Sequence, residues 1–196
     1  AAEIKSTVTE IGNNRVSIAI NISEGLVAKI KKINIVGNHI FSEKKLLKEF
    51  KLSTPTMFSF FSKNDQYSKQ KLSGDLESLR TYYLDRGYLN FTLDSTQVTI
   101  TPDKKDIYIT INITEGELYK VSAVKLGGDL TLPQNELLDL ILIRSGELFS
   151  RKKVTETTKN ITDRLGEVGY SFANVNSIPD INEEDKTVSI TFFVDP

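Results

Sequence analysis

The sequence predicts an α+β protein built of tandem modules, each β-α-α-β-β, with two helices on a three-stranded mixed sheet. Three observations carry this. The hexapeptide Ile20-Asn21-Ile22-Ser23-Glu24-Gly25 returns as Ile111-Asn112-Ile113-Thr114-Glu115-Gly116, and Val188 to Pro196 looks like a third copy cut at the same place. A repeat of 80 to 91 residues is too long for a solenoid unit, so each copy is a small folded module. Apolar residues follow helical spacing between positions 72 and 83 and again between 154 and 168, whereas 107–113 and 188–194 alternate strictly.

The copies align in two registers. A shift of 91 places Ile30, Ile33, Ile35 and Gly37 on Val121, Val124, Leu126 and Gly128, and Leu46, Leu47 and Phe50 on Leu137, Leu138 and Ile141. A shift of 82 then places Ser68 on Ser150, Lys71 on Lys153 and Gly87-Tyr88 on Gly169-Tyr170. The nine-residue difference falls between Leu52 and Tyr67, in a loop, where insertions are tolerated. The expected domains are 26–116 and 117–196. Residues 1–25 supply only the last two strands of a module and read as the remnant hairpin of a preceding one, so the chain is expected to be a piece of a longer array.

Each element has a local cause. Val27 to Val36 is β-branched and stops at Gly37-Asn38, the pattern of a strand and turn. Its apolar steps of three and then two predict a bulge near residues 31–32, and near 122–123 in the second copy. Ser42 is placed to cap a short helix through Leu46, Leu47 and Phe50, and Pro133 stands near the matching helix start. Leu72, Leu76, Leu79 and Tyr83 form the stripe of a long helix, matched by Val154, Ile161, Leu165 and Val168 with Thr158 at the remaining position. Gly87 and Gly169 end these helices. Leu89, Phe91 and Leu93 begin the next strand. Val98 and Ile100 lie on the opposite parity, so a bulge or bend around Ser95 to Gln97 is expected, leaving them out of phase with the buried set. Thr101-Pro102-Asp103-Lys104 is a turn, followed by the alternating Ile107, Ile109, Ile111 and Ile113.

Composition narrows the function classes. The chain is 39% apolar and 26% charged, ordinary values for a globular protein, and no apolar run reaches the length of a membrane helix. There is no cysteine, which excludes disulfides, thiolate metal sites and a cysteine nucleophile. His39 is the lone histidine and reads as an exposed turn residue. Gly127-Gly128 lacks the spacing of a nucleotide loop and reads as a turn. Glu183-Glu184-Asp185 suits a solvated hairpin. The lysines at 29, 31, 32, 44, 45, 48 and 51 lack interleaved aromatics and do not make a nucleic-acid site. Residues 26–116 carry 14 basic and 10 acidic side chains and residues 117–196 carry 9 and 13, either as ordinary surface variation or as different fields presented to neighbouring modules or partners. Met57, Phe58, Phe60 and Phe61 cluster in the nine-residue insertion, as local packing or as a contact for a neighbour or client. No nucleophile–base or metal constellation assembles. The reading is not an enzyme, with no cofactor.

Ile33-Asn34-Ile35-Val36-Gly37-Asn38, Lys71 to Glu77, Tyr82 to Tyr88, Asp94-Ser95-Thr96-Gln97-Val98 and Asn112 to Gly116 resemble the POTRA (polypeptide-transport-associated) domains of the BamA family of outer-membrane protein assembly factors. Residues 26–116 look like the third such domain, 117–196 like the fourth and 1–25 like the tail of the second. The resemblance covers the whole chain and is most specific from Lys69 to Gly116. It implies a periplasmic array leading to a membrane-embedded β-barrel that this chain does not include. Such arrays receive unfolded outer-membrane β-barrel clients and dock accessory lipoproteins, a BamB-like β-propeller lipoprotein at the third domain and other Bam lipoproteins through other domains. It also implies that Leu89 to Ile100 is an edge strand, which makes Asp94, Ser95, Thr96, Gln97, Val98, Thr99 and Ile100 the candidate partner-binding residues. Two functions compete: a scaffold that pairs extended clients along that edge, and a docking arm for a single folded partner without client binding.

Overall fold

The computed structural model describes residues 3–12, 15–23, 28–54 and 65–196. The Met57–Phe61 cluster named above lies outside them. Strands β1 (Glu3–Gly12) and β2 (Arg15–Ser23) form a two-stranded antiparallel hairpin. Strands β3 (Lys29–Val36), β4 (Thr92–Ile100) and β5 (Asp106–Thr114) form a mixed sheet of order β3-β5-β4. Strands β6 (Lys120–Gly128), β7 (Asn174–Asn182) and β8 (Thr187–Asp195) repeat it as β6-β8-β7. The helices are α1 (Glu43–Leu46), extended by the 3-10 turn Leu47–Glu49, and α2 (Lys69–Leu84) in the first module, then α3 (Gln134–Asp139) and α4 (Arg151–Glu167) in the second. Gly127-Gly128, expected as a turn, instead completes β6.

The cores follow from alternation. Ile107, Ile109, Ile111 and Ile113 of β5 are all buried, and the first three pair with Ile30, Ile33 and Ile35 of β3. A one-residue bulge between Ile30 and Lys32 lets the uneven spacing of β3 keep all three isoleucines on the core face. Strand β6 carries the matching bulge between Val121 and Ala123, which brings Val121, Val124 and Leu126 opposite Val188, Ile190 and Phe192. Full burial of such side chains stabilises by about 1.5–3 kcal/mol each.

The long helices begin alike. Ser68 accepts a hydrogen bond from the backbone N–H of Lys71 at 3.4 Å, and Ser150 accepts from Lys153 at 3.3 Å. Leu72, Leu79 and Tyr83 are buried in α2, and Val154, Ile161 and Leu165 in α4. Val168 departs from the expected stripe: it is the C-cap of α4 and is exposed. Ser42 stands at the N-cap of α1, but its hydroxyl makes no capping bond. The neighbouring Glu43 carboxylate instead accepts from the backbone N–H of Ile35, tying the helix start to β3. Phe50 lies just past the 3-10 turn, as its C-cap.

A buried polar contact recurs under both modules. Asp75 in α2 accepts from the backbone N–H groups of Lys51 and Leu52 at 2.7 and 2.9 Å. The Thr157 hydroxyl in α4 accepts from the N–H of Leu142 at 3.0 Å. Positions 75 and 157 are related by the 82-residue shift, and 51 and 142 by the 91-residue shift. Each long helix thus holds the chain leaving the short one.

The hairpin shows what the helices contribute. Its register places Ile4, Val8, Val16, Ile18, Ile20 and Ile22 on one face, and all are exposed. Ile111 and Ile113, from the same hexapeptide, are buried under α2.

Thr157→Val leaves the partly buried Leu142 N–H without its acceptor and should cost about 1 kcal/mol, whereas Asp75→Leu removes the acceptor of two N–H groups, that of Leu52 buried, and should cost more. Urea unfolding midpoints would measure both. Equal stability of Asp75→Leu and the unaltered chain would refute the clamp.

Candidate functional site

Each three-stranded sheet exposes two edges, and they are treated differently. The segment 145–149 covers β6: Val121 N–H donates to Glu147, Gly146 N–H to Val121 and Phe149 N–H to Tyr119. Strand β3 is met by Gln66 in an isolated bridge to Lys29 and by the Glu43 carboxylate at Ile35. Strand β7 is open but carries Pro179 mid-strand, and proline offers no N–H to an incoming strand. Strand β4 runs nine residues without proline and pairs, among the described residues, only with β5.

The seven candidate residues Asp94 to Ile100 all lie in β4. The strand starts at Thr92, so Phe91 is buried ahead of it and Leu89 lies outside it. The expected bulge sits at Asp94, between Leu93 and Ser95, rather than at Ser95–Gln97. Its carboxylate accepts from the hydroxyls of Thr92 and Thr114, both at 2.8 Å, and Asn112 Nδ2 donates to Ser95 Oγ. This position corrects the phase argument. Leu93, Thr96, Val98 and Ile100 stand opposite Ile113, Ile111, Ile109 and Ile107, and directly opposed residues share a face. The bulge therefore returns Val98 and Ile100 to the core face. At the open edge they nonetheless stay 41% and 51% exposed. The edge thus offers free backbone groups beside two β-branched side chains.

At the end of the sheet where the Asp94 bulge lies, away from Val98 and Ile100, Glu115 is buried directly after β5. Its carboxylate accepts from the N–H of His39 at 2.7 Å, the N–H of Ile40 at 2.9 Å and the hydroxyl of Tyr83 at 2.6 Å. Burial works to raise its pKa, but the bonds from Tyr83, His39, Ile40 and Phe41 outweigh it and hold the pKa below the ordinary value. Burial and the adjacent carboxylate push the Tyr83 hydroxyl up. His39 itself is exposed and reaches Glu115 only through its backbone.

The chain then passes over the α2–β4 turn into the second module. The N–H of Tyr119 donates to the carbonyl of Gly87 at 2.8 Å, Tyr88 bridges Leu118, and Asn90 Nδ2 donates to the Tyr119 hydroxyl at 2.9 Å. Gly87 has a φ of +94°, and a Cβ there would sit 3.0 Å from Leu118 Cδ1. Leu89 packs against the second core. Two polar contacts flank it: Asp85 caps α4 by accepting from the N–H of Lys152 at 2.7 Å, and Arg151 donates to Glu77 at 2.8 Å. Sequence reasoning missed this joint and the role of Glu115, although both Gly87-Tyr88 and Glu115 stood in the repeated motifs.

Two tandem β-α-α-β-β modules, the first with an open edge strand, define a class of modular repeat protein. Its family follows from comparison. The POTRA family model, described as surface antigen variable number repeat, matches residues 28–116 and 119–196, and the chain belongs to the POTRA family. It is similar to the outer membrane protein assembly factor BamA of Neisseria meningitidis serogroup B, with 30% identity over 195 residues, 99% of this chain and 24% of that protein. It is similar also to BamA of Buchnera aphidicola, with 37% identity over 183 residues, 93% of this chain and 30% of that protein. The chain therefore spans about a quarter to a third of the length of these curated relatives. The crystal structure of POTRA domains 3–5 of Haemophilus influenzae BamA matches with a TM-score of 0.74 and 28% identity, over 86% of this chain and 66% of that one. Among the described residues no helix is long and apolar enough to cross a membrane.

Glu115 yields a pH prediction. Its folded pKa lies below its unfolded value, so its contribution is present above the unfolded pKa and is lost as pH falls through the folded one. Glu115→Gln should be less stable than the unaltered chain at pH 7, and the gap should close as pH falls below about 4. Urea midpoints at several pH values would check this, and a gap independent of pH would contradict it. Leu89→Asp places a charge against the second core and should destabilise the second module by about 2–4 kcal/mol while sparing the first. Scanning calorimetry should then resolve two transitions, and a single unshifted one would refute the joint.

Proposed function

We propose that this chain is part of a periplasmic scaffold of the β-barrel assembly machinery, on the periplasmic side of the outer membrane. It binds unfolded outer-membrane β-barrel clients along the β4 edge and docks accessory lipoproteins, first a BamB-like β-propeller lipoprotein. Residues 1–25 are the last hairpin of a preceding POTRA domain, and 26–116 and 117–196 are two further domains. The chain acts by binding and positioning and carries no catalytic residue. The family, and relatives named as assembly factors, support the general role. One observation supports the site: of the four outer edges in the two three-stranded sheets, β4 alone is, among the described residues, neither bonded at any point along its outer edge nor interrupted by proline.

Backbone pairing on such an edge is largely indifferent to client sequence, while Val98 and Ile100 add apolar contact. Their exposure also favours the second reading, in which one folded partner docks on these side chains and no client binds directly. Val98→Glu combined with Ile100→Glu should weaken binding of extended β-strand peptides about tenfold or more; because both side chains are half-buried on the core face, a loss of stability of about 1–2 kcal/mol is expected beside it, leaving the module folded. Calorimetric titration with peptides of several sequences measures the first effect and thermal melting the second. Many peptides bound with similar affinity supports client pairing. Binding of the lipoprotein alone supports the docking arm. Unchanged affinity for both in the double variant rejects the β4 site.

A further inference from the structure

Helix α2 carries a row of residues that its own fold does not account for. Gly74, Ser78, Tyr82 and Arg86 stand four apart, so they follow one another along one face of α2 and its C-terminal turn. Glycine is the poorest helix former after proline. Yet nothing described lies within 4 Å of a Cβ built at Gly74, so no described contact within the chain calls for glycine there. The Ser78 hydroxyl turns back onto its own helix and donates to the Gly74 carbonyl at 3.0 Å. The 82-residue shift puts Glu156, Asn160 and Arg164 at the places of Gly74, Ser78 and Tyr82, so the module fold does not require the row.

The row lines an open groove of about 970 Å³, and the start of α4, with Ser150 and Lys152, lines it from the second module. Two donors in the groove lack an acceptor. Tyr82 is 4% exposed, and its hydroxyl meets no partner among the described residues. Arg86 lies over the Tyr82 ring, 3.5 Å from the centroid, and its Nη1 donates to the Tyr82 carbonyl at 2.8 Å. The guanidinium forms no ion pair among the described residues, because the nearest acids are engaged elsewhere: Glu77 with Arg151, and Asp85 with the N–H of Lys152. Buried hydroxyls ordinarily have a hydrogen-bond partner, and a guanidinium pairs most strongly with a carboxylate.

We infer that the α2–α4 groove is the docking site for an α-helix of a partner protein, seated on Gly74 and Ser78 and presenting a carboxylate to Arg86. Helix backbones are bonded internally, so these walls offer no edge to an extended chain. Rows four residues apart are the ridges and grooves of helix packing, and small residues in such a row let a second backbone come close. The volume equals that of about two helical turns. Charge selects the occupant. Arg86 and Lys152 stand beside the N-terminus of α4, where negative charge is favoured. Glu49 stands at the Gly74 end, two residues before the Lys51 N–H that Asp75 holds, and forms no ion pair among the described residues. The helix that fits is acidic at one end and basic at the other. No residue of β4 lines the groove, so the site is separate from that edge.

Nuclear magnetic resonance titration of the chain tests this with two alanine-rich peptides of about 18 residues, long enough to be helical alone. One carries a pair of glutamates near one end and a lysine near the other; the second has glutamine for both glutamates. The glutamate peptide should shift the amides of Gly74, Ser78 and Arg86 and leave β4 unmoved, and the glutamine peptide should bind at least about fivefold more weakly. Gly74→Leu extends a side chain into free space and should lower affinity at least about tenfold while the melting temperature holds or rises. Arg86→Gln should abolish the difference between the peptides. No shifts along the row, equal affinity for the two peptides, or undiminished binding by Gly74→Leu overturns the proposal. Strand pairing at β4 plays no part in this readout, so its failure and that of the edge-strand reading are distinguishable.

Discussion

The carboxylate of Glu115 gathers three segments at one point: the end of β5, the loop after β3 and the last turns of α2. Burying a carboxylate costs several kcal/mol unless its oxygens are satisfied, and here two backbone N–H groups and a phenol hydroxyl supply the bonds. The phenol is held by its own neighbours. Tyr83 stacks on Phe91 with centroids 4.3 Å apart and meets Phe41, Tyr82 and Tyr88 edge-on. Such pairs add about 0.5–1.5 kcal/mol each beyond the area they bury. Gly116 follows at once and lies against the backbone of Asn90. The direction in which the chain leaves the first module is thus fixed by the same cluster that closes its sheet.

The layered architecture was legible in the sequence because it rests on periodicity. Strict alternation gave β5 and β8, the four-three-four stripe gave α2 and α4, and the uneven isoleucine spacing of β3 marked a bulge where one exists. Polar contacts made across sequence were not legible. Asp75 and Thr157 do the same work with different chemistry, so side-by-side comparison of the copies hides them. Glu115 belongs to the repeated hexapeptide, but its partners His39 and Ile40 lie 76 and 75 residues away. The phase of β4 depends on where one residue is extruded, and hydroxyls from two different strands settle that at Asp94. Leu89 alternates with Phe91 and Leu93 like a strand residue, yet the neighbouring module claims it.

The four edges show how a small sheet is kept from uncontrolled pairing. Lysines at 29, 31 and 32, with a bulge, accompany the covered β3, a loop lies along β6, and a proline interrupts β7. Against these devices the continuous β4 stands out. Its bulge is at one end, where it restores the apolar side chains to the core face and leaves the remaining strand regular. An edge of this kind serves pairing better than a blunted one would, and in a globular protein without a partner it would be a liability.

The cores of the two modules are not equivalent in their membership. Every residue of the first core, and every apolar residue packed on it, precedes Gly116. The second core includes Leu89 among the residues packed on it, contributed by the first module. Dependence therefore runs one way along the chain. A polypeptide that emerges N-terminus first, from a ribosome or across a membrane, completes the first core before Tyr119 exists. It then holds Leu89 and the Gly87 carbonyl ready as a template on which the next strand can begin. At this joint vectorial emergence and the architecture agree in direction, since what the second module needs from the first lies ahead of it in the chain.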